Sequence, residues 1–156
     1  MALYKKVFTV PGRIEDVFAY LSDYENLAEW DAVVTSARRA TAGGPGPDAR
    51  YDVVASLAGL RLPIAMQVDV FHPPHRLVLS GEGRLVRVRD AFHVTPAGRK
   101  IRVGYEGEVL LRGPLAHLDP VLGPVLRVAG DRAMDRLREI LTARGRAPAT
   151  AGERAA

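Results

Sequence analysis

Between residues 61 and 71 the chain alternates, with Leu62, Ile64, Met66, Val68 and Val70 on one face and Arg61, Gln67 and Asp69 among those on the other. A period of two with one apolar and one polar face predicts a strand buried on one side and wet on the other, as in an antiparallel sheet. The same reading predicts strands over residues 4–10, 33–40, 50–57, 76–80, 84–94 and 100–111. Breakers separate them: the loop from Gly43 to Asp48, Gly59, Pro73-Pro74, Gly81 with Gly83, and Pro96-Ala97-Gly98.

Elsewhere the period changes to that of a helix. After Pro11-Gly12, the residues Ile14, Val17, Phe18 and Leu21 predict a short helix. Ser22 and Glu25 then stand in the S-x-x-E relation of a capping box, which starts a second short helix through Leu27 to about Trp30. The one long amphipathic run covers residues 113–144, where Leu115, Leu118, Val121, Leu122, Val125, Leu126, Val128 and Ala129 share a broad arc. In its second half Met134, Leu137 and Leu141 centre the arc further round, and Arg132 and Arg136 take the old centre and edge. Pro124 predicts a bend there. The first half is expected to line or gate a cavity and the second half to anchor the helix, with the two arginines near the changeover.

The order strand, two helices, six strands, long helix predicts an α+β fold: a seven-stranded, curved antiparallel sheet wrapped on a long C-terminal helix, with two short helices after the first strand. A curved sheet on a single helix does not close completely. The space left between them, roofed by the short helices and loops, is an apolar cavity of the kind that takes small ligands. One domain over residues 1–143 is expected, and residues 144–156, small, polar and rich in breakers, are expected to form a disordered tail.

Composition narrows the class. At 156 residues, 47% hydrophobic and 26% charged, the chain is sized and composed as one globular domain. It has no cysteine, which removes disulfides, thiolate metal sites and cysteine nucleophiles and fits a reducing cytoplasm. The opening MALYKKVFTV alternates and carries two lysines, unlike a signal peptide, and no run has the length of a membrane span, so a cytoplasmic location without stable membrane insertion is expected. Of the net charge of +4, the three arginines and one glutamate beyond Ala143 account for half, leaving too little on the folded body to predict nucleic-acid binding.

Asp90 is the sharpest chemical candidate. If Val86, Val88, Phe92 and Val94 face the cavity, alternation puts Asp90 there too, as a general base or a polar anchor. The plainer alternative is a bulge at which it accepts backbone or arginine hydrogen bonds. Arg132, inside the apolar arc of the long helix, is its expected partner unless the guanidinium reaches out to the rim. Tyr105 shares the inward face with Val103 and Gly107, and Gly107 would leave ligand space beside it; the alternative is a core phenol with a bonded hydroxyl. Tyr51, in line with Val53, Ala55 and Leu57, admits the same two readings. Met66 is expected in the wall, and Trp30 either lids the cavity or packs its helix onto the sheet. His72, His75, His93 and His117 offer no shared ligand geometry, and the GGPGP loop lacks the lysine and threonine of a phosphate loop, so neither metal nor cofactor is expected.

The stretches VPGRIEDVFAYLSDYENLAEWDAVV, VDVFHPPHRLVLSGEG and RVRDAFHVTPAGRKIRVGYEGEV, with the GPL that begins the final helix, resemble the START-like, helix-grip superfamily. The likeness is greatest to its polyketide cyclase/dehydrase and lipid-transport-like branch and covers roughly residues 4–141. It implies the Bet v 1-like architecture just described and a hydrophobic ligand such as a polyketide, lipid or isoprenoid. On that basis Trp30, Tyr51, Met66, Asp90, Tyr105, Leu118, Leu122, Val125, Ala129 and Arg132 are the expected ligand-binding set. Fold alone does not separate a binding protein from a cofactor-independent cyclase or dehydratase using Asp90 or Tyr105 for proton transfer, or from an interaction module with a vestigial pocket. The oligomeric state, a dimer included, is left open.

Overall fold

In the computed structural model, which describes residues 1–147, the strands are β1 (Ala2–Val10), β2 (Val34–Arg39), β3 (Arg50–Leu57), β4 (Leu60–His72), β5 (Arg76–Glu82), β6 (Val86–Ala97) and β7 (Lys100–Leu111). The helices are α1 (Ile14–Ser22), α2 (Leu27–Trp30) and α3 (Asp119–Arg146). The strands form one sheet in the order β1-β7-β6-β5-β4-β3-β2, and every neighbouring pair is antiparallel. From β2 to β7 the chain moves strand by strand across the sheet. β1 then pairs with β7 at the far edge, so α1 and α2 carry the chain from one edge to the other. The sheet grips the single long helix α3, as the strand and helix periods anticipate.

Alternation holds along most strands because one face is buried and the other meets water. On β4, Leu62, Ile64, Met66 and Val68 are buried in turn. Then the register with β5 shifts between Val68 and Val70. This bulge overturns the placing of Val70 on the buried face: Phe71 turns inward instead, its ring edge-on to Phe18 of α1 at 5.5 Å between centroids.

Three further expectations are corrected. Ser22 closes α1, its hydroxyl donating to the Ala19 carbonyl, and it is Asp23 that accepts from the Glu25 N–H to start a 3-10 turn over Tyr24–Asn26; the capping box does not form. Residues Gly113–Leu118 wind as a 3-10 helix, and α3 starts only at Asp119, whose Oδ1 accepts the Leu111 N–H at 3.1 Å and so ties the helix start to the end of β7. At the other end α3 runs to Arg146, into the stretch expected to be a tail, and Gly145 packs so closely on the Pro11 carbonyl that a Cβ would not fit. Residues 148–156 lie outside the described residues.

The two halves of α3 differ in burial. Ala133, Met134, Leu137 and Leu141 are in the core, each of the three large ones worth roughly 1.5–3 kcal/mol of apolar burial. In the first half only Leu122 is fully buried, while Val121, Val125 and Val128 are 61%, 51% and 55% exposed. Between the halves, α3 meets β1: the Tyr4 hydroxyl donates to Asp131 at 2.7 Å, and Gly130 sits so close to the Tyr4 ring that a Cβ would stand 2.8 Å from it.

Candidate ligand cavity

Sheet, α2 and α3 enclose a cavity of about 150 Å³. Its sheet wall comes from alternating positions of β3 and β4 (Val53, Ala55, Leu57, Leu62, Ile64, Met66) and of β6 and β7 (Val86, Val88, Val109, Leu111). Leu122, Val125, Leu126 and Ala129 of α3 form the opposite wall, with Leu27 and Trp30 of α2 at the side. Val125 both lines the cavity and is half exposed, so the cavity reaches solvent beside the first half of α3. Trp30 is buried, edge-on to Phe92 with centroids 6.2 Å apart, which makes it both wall and packing for α2.

The wall carries few polar groups, and Asp90 is the most heavily bonded of them. Asp90 lies on β6 opposite Leu79 of β5 and Gly107 of β7, and both ladders run through it without a register shift, so it does not sit at a bulge. Its carboxylate accepts two phenolic hydroxyls: Tyr105 donates to Oδ1 at 2.7 Å and Tyr24 donates to Oδ2 in a short hydrogen bond. Gly107 is what admits Tyr105, because a Cβ at 107 would lie 2.5 Å from the Tyr105 hydroxyl oxygen. The space expected there for a ligand is filled by the tyrosine. The Tyr105 ring is held between Phe92, 5.0 Å away, and Tyr4, 6.1 Å away.

Asp31, directly after α2, is the second carboxylate in the wall. Its Oδ1 accepts the Val33 N–H at 3.0 Å, a local turn that fixes the side chain. Burial pushes its carboxyl up to about 6 against that hydrogen bond, with the charge of Asp90 adding to the rise. Asp90 is raised by burial too, while the two tyrosine hydrogen bonds oppose the rise. Tyr24 and Tyr105 are pushed far up by burial and then by the Asp90 charge, so both keep their protons. The arrangement is a carboxylate in an apolar chamber, held by two neutral phenols, with a second carboxylate in the same wall that feels its charge. Chemically it can anchor a polar group or move a proton.

Of the residues singled out from sequence, Trp30, Met66, Asp90 and Tyr105 stand in the wall, as do Leu122, Val125 and Ala129. Three do not. Tyr51 is wholly buried behind the wall, donating to the Ser22 carbonyl at 3.3 Å with its ring against Tyr24, so it is core. Leu118 ends the 3-10 segment and is 42% exposed. Arg132 is exposed on the outer side of α3 and Arg136 is exposed beside Glu139; neither reaches Asp90, whose partners are tyrosines. The sequence reading missed Tyr24 and Asp31. Tyr24 lies in a 3-10 turn without periodicity, and its partner is 66 residues away in sequence. Asp31 did carry a signal, an aspartate between a short helix and a strand, the residue type whose side chain bonds the backbone N–H two residues on.

Comparison with known proteins agrees with this architecture. Residues 1–142 match the model of the family described as polyketide cyclase / dehydrase and lipid transport, and the chain belongs to that family. Among solved structures, a protein from Thermus thermophilus is similar with a TM-score of 0.75 at 18% identity, covering 91% of this chain and 98% of the other. A START superfamily protein from Mycobacterium smegmatis gives 0.68 at 14% identity, covering 92% and 97%. A conserved protein from Geobacillus kaustophilus gives 0.64 at 17% identity, covering 90% and 95%. At these identities the likeness carries the START-like fold alone. No curated protein matches the chain. No helix among the described residues is long and apolar enough to cross a membrane.

Proposed function

We propose that this member of the polyketide cyclase / dehydrase and lipid transport family binds a small hydrophobic molecule, a polyketide, lipid or isoprenoid, in the cavity between the sheet and α3. The observation that carries the reading is the wall, apolar except for a few side chains, chiefly Asp31, Asp90 and Tyr105. Apolar contact supplies affinity at roughly 25 cal/mol per Å² buried, and the Asp90 cluster orients a polar end. The volume of about 150 Å³ suits a single ring or a short branched chain. A larger ligand needs the first half of α3 to move aside, and that half has few buried side chains to hold it. The test is native mass spectrometry of the purified protein together with thermal shift across a lipid, isoprenoid and polyketide panel. A bound apolar molecule or a stabilising one is the expected result; an empty protein that no panel member stabilises refutes the reading.

A second reading is favoured by one observation, the raised carboxyl of Asp90 between two protonated phenols. That is the constitution of a general base with neutral hydrogen-bond donors beside it, which suits a cyclisation or dehydration of a bound chain. In that case Asp90→Asn abolishes turnover while affinity stays within a few fold. Unchanged turnover eliminates the proton-transfer role.

A further inference from the structure

The cavity holds an imbalance of charge and of protons. Its wall contains two carboxylates, Asp31 and Asp90, and no arginine, lysine or histidine. The nearest basic influence on Asp90 is Arg89, its neighbour on the strand, which is not part of the wall. Both tyrosine protons that point toward Asp90 are already given to it, one to each oxygen. What Tyr24 and Tyr105 have left is acceptor capacity, and Asp90 has its remaining lone pairs. Asp31 uses Oδ1 on the Val33 N–H, and its Oδ2 has no hydrogen-bond donor among the described residues. The Tyr4 hydroxyl is spent on Asp131 outside the cavity. The one side-chain donor of the wall not engaged by a protein acceptor among the described residues is the neutral indole N–H of Trp30.

A polar cluster of this kind asks its ligand for protons and for positive charge. A carboxylate ligand would bury a third negative group beside two others with no cation to pair it, which is strongly unfavourable in an apolar chamber. An alcohol supplies one proton and no charge. An ammonium group supplies three donors and the missing charge. We infer that the cavity takes a hydrophobic amine, its ammonium seated between Asp31 and Asp90, and rejects fatty acids and other free carboxylates. With its carboxyl at about 6, Asp31 is ionised at neutral pH and available for that pairing.

This inference rests on the binding reading above, and the test separates their failures. Cyclohexylmethylamine, cyclohexylmethanol and cyclohexanecarboxylate share one carbon skeleton and absorb little where tryptophan is excited. Each is titrated into the full chain at neutral pH by calorimetry and by the fluorescence of Trp30, the single tryptophan. The amine is expected to bind at least about tenfold more tightly than the alcohol, and more strongly still relative to the carboxylate, the scale of one charge-assisted hydrogen bond. An alcohol or carboxylate that binds as tightly as the amine overturns the inference and leaves the binding reading intact. If none of the three binds and no panel ligand does either, both fall. In Asp31→Asn and Asp90→Asn the amine's advantage over the alcohol should drop about tenfold. An undiminished preference in Asp31→Asn, which keeps the acceptor for Val33 and is the variant expected to fold normally, also overturns it.

Discussion

The second half of α3 is buried and the polar end of the cavity half-buried, with opposite consequences. Met134, Leu137 and Leu141 leave water for an apolar core, and every atom buried there favours the fold. Asp31 and Asp90 leave water for the same interior, and their raised carboxyls record that the fold is worse for their charged forms than water is. Stability explains the first region. It does not explain the second, which the anchor has to carry, and a region that costs stability and faces a cavity is where function is expected.

The contrast can be broken most forcefully at the anchor. Leu137 is 0% exposed, and Leu137→Ala should cost about 3–4 kcal/mol, read by urea denaturation. A cost below about 1 kcal/mol would mean that α3 is not held by this contact set. At the polar end the sign reverses: Asp31→Asn should stabilise the protein at pH 7 by on the order of 2 kcal/mol. The folded carboxyl at about 6 lies above its ordinary 3.8, so the folded state binds the proton more tightly; the contribution of Asp31 is complete below about pH 4 and is lost as pH rises through about 6. The stabilisation by Asp31→Asn should therefore fade when denaturation is repeated at pH 4, and an equal gain at both pH values would disprove the burial penalty. Gly107→Ala should cost roughly 1–2 kcal/mol, because its Cβ displaces the Tyr105 hydroxyl. The same variant should weaken amine binding, whereas a stability loss with unaltered binding would separate Tyr105 from the site. The smallest effect belongs to Tyr105→Phe, about 1 kcal/mol or less in stability, with the Asp90 carboxyl rising further for want of one hydrogen bond. Carboxyl NMR titration of Asp90 reads that rise, and no upward movement would exclude the tyrosine as a support of its charged form.

Much of the fold is legible in the sequence, because strands with one wet face write their orientation into every second residue. Asp90 and Tyr105 could be placed inward for that reason alone, before any partner was known. The rule fails where the backbone departs from period two: one bulge between Val68 and Val70 exchanges Val70 for Phe71. It fails on α3 for a different reason. A helical wheel registers which residues are apolar but not which of them the sheet reaches, so Val121 and Val128 shared the arc of Val125 although only Val125 stands in the cavity wall, and Arg132 looked like a partner for Asp90. The pairing of Asp90 with Tyr24 was beyond reach, since it joins a turn without period to a strand 66 residues on.

The place of β1 at the sheet edge has a consequence for how the molecule is made. Ala2 pairs with Val109 and Val10 with Ile101, and α3 docks onto the same strand through Tyr4. Strand β1 is therefore synthesised before both of its partners and waits, unpaired, for β7 and α3. Closing such a long loop is entropically costly and slows folding, so the chain should fold only after α3 has emerged, in one late and concerted step. Until then Phe8 and Val10, buried in the folded protein, are exposed to other chains, and a change in β1 acts on the seam that completes the fold.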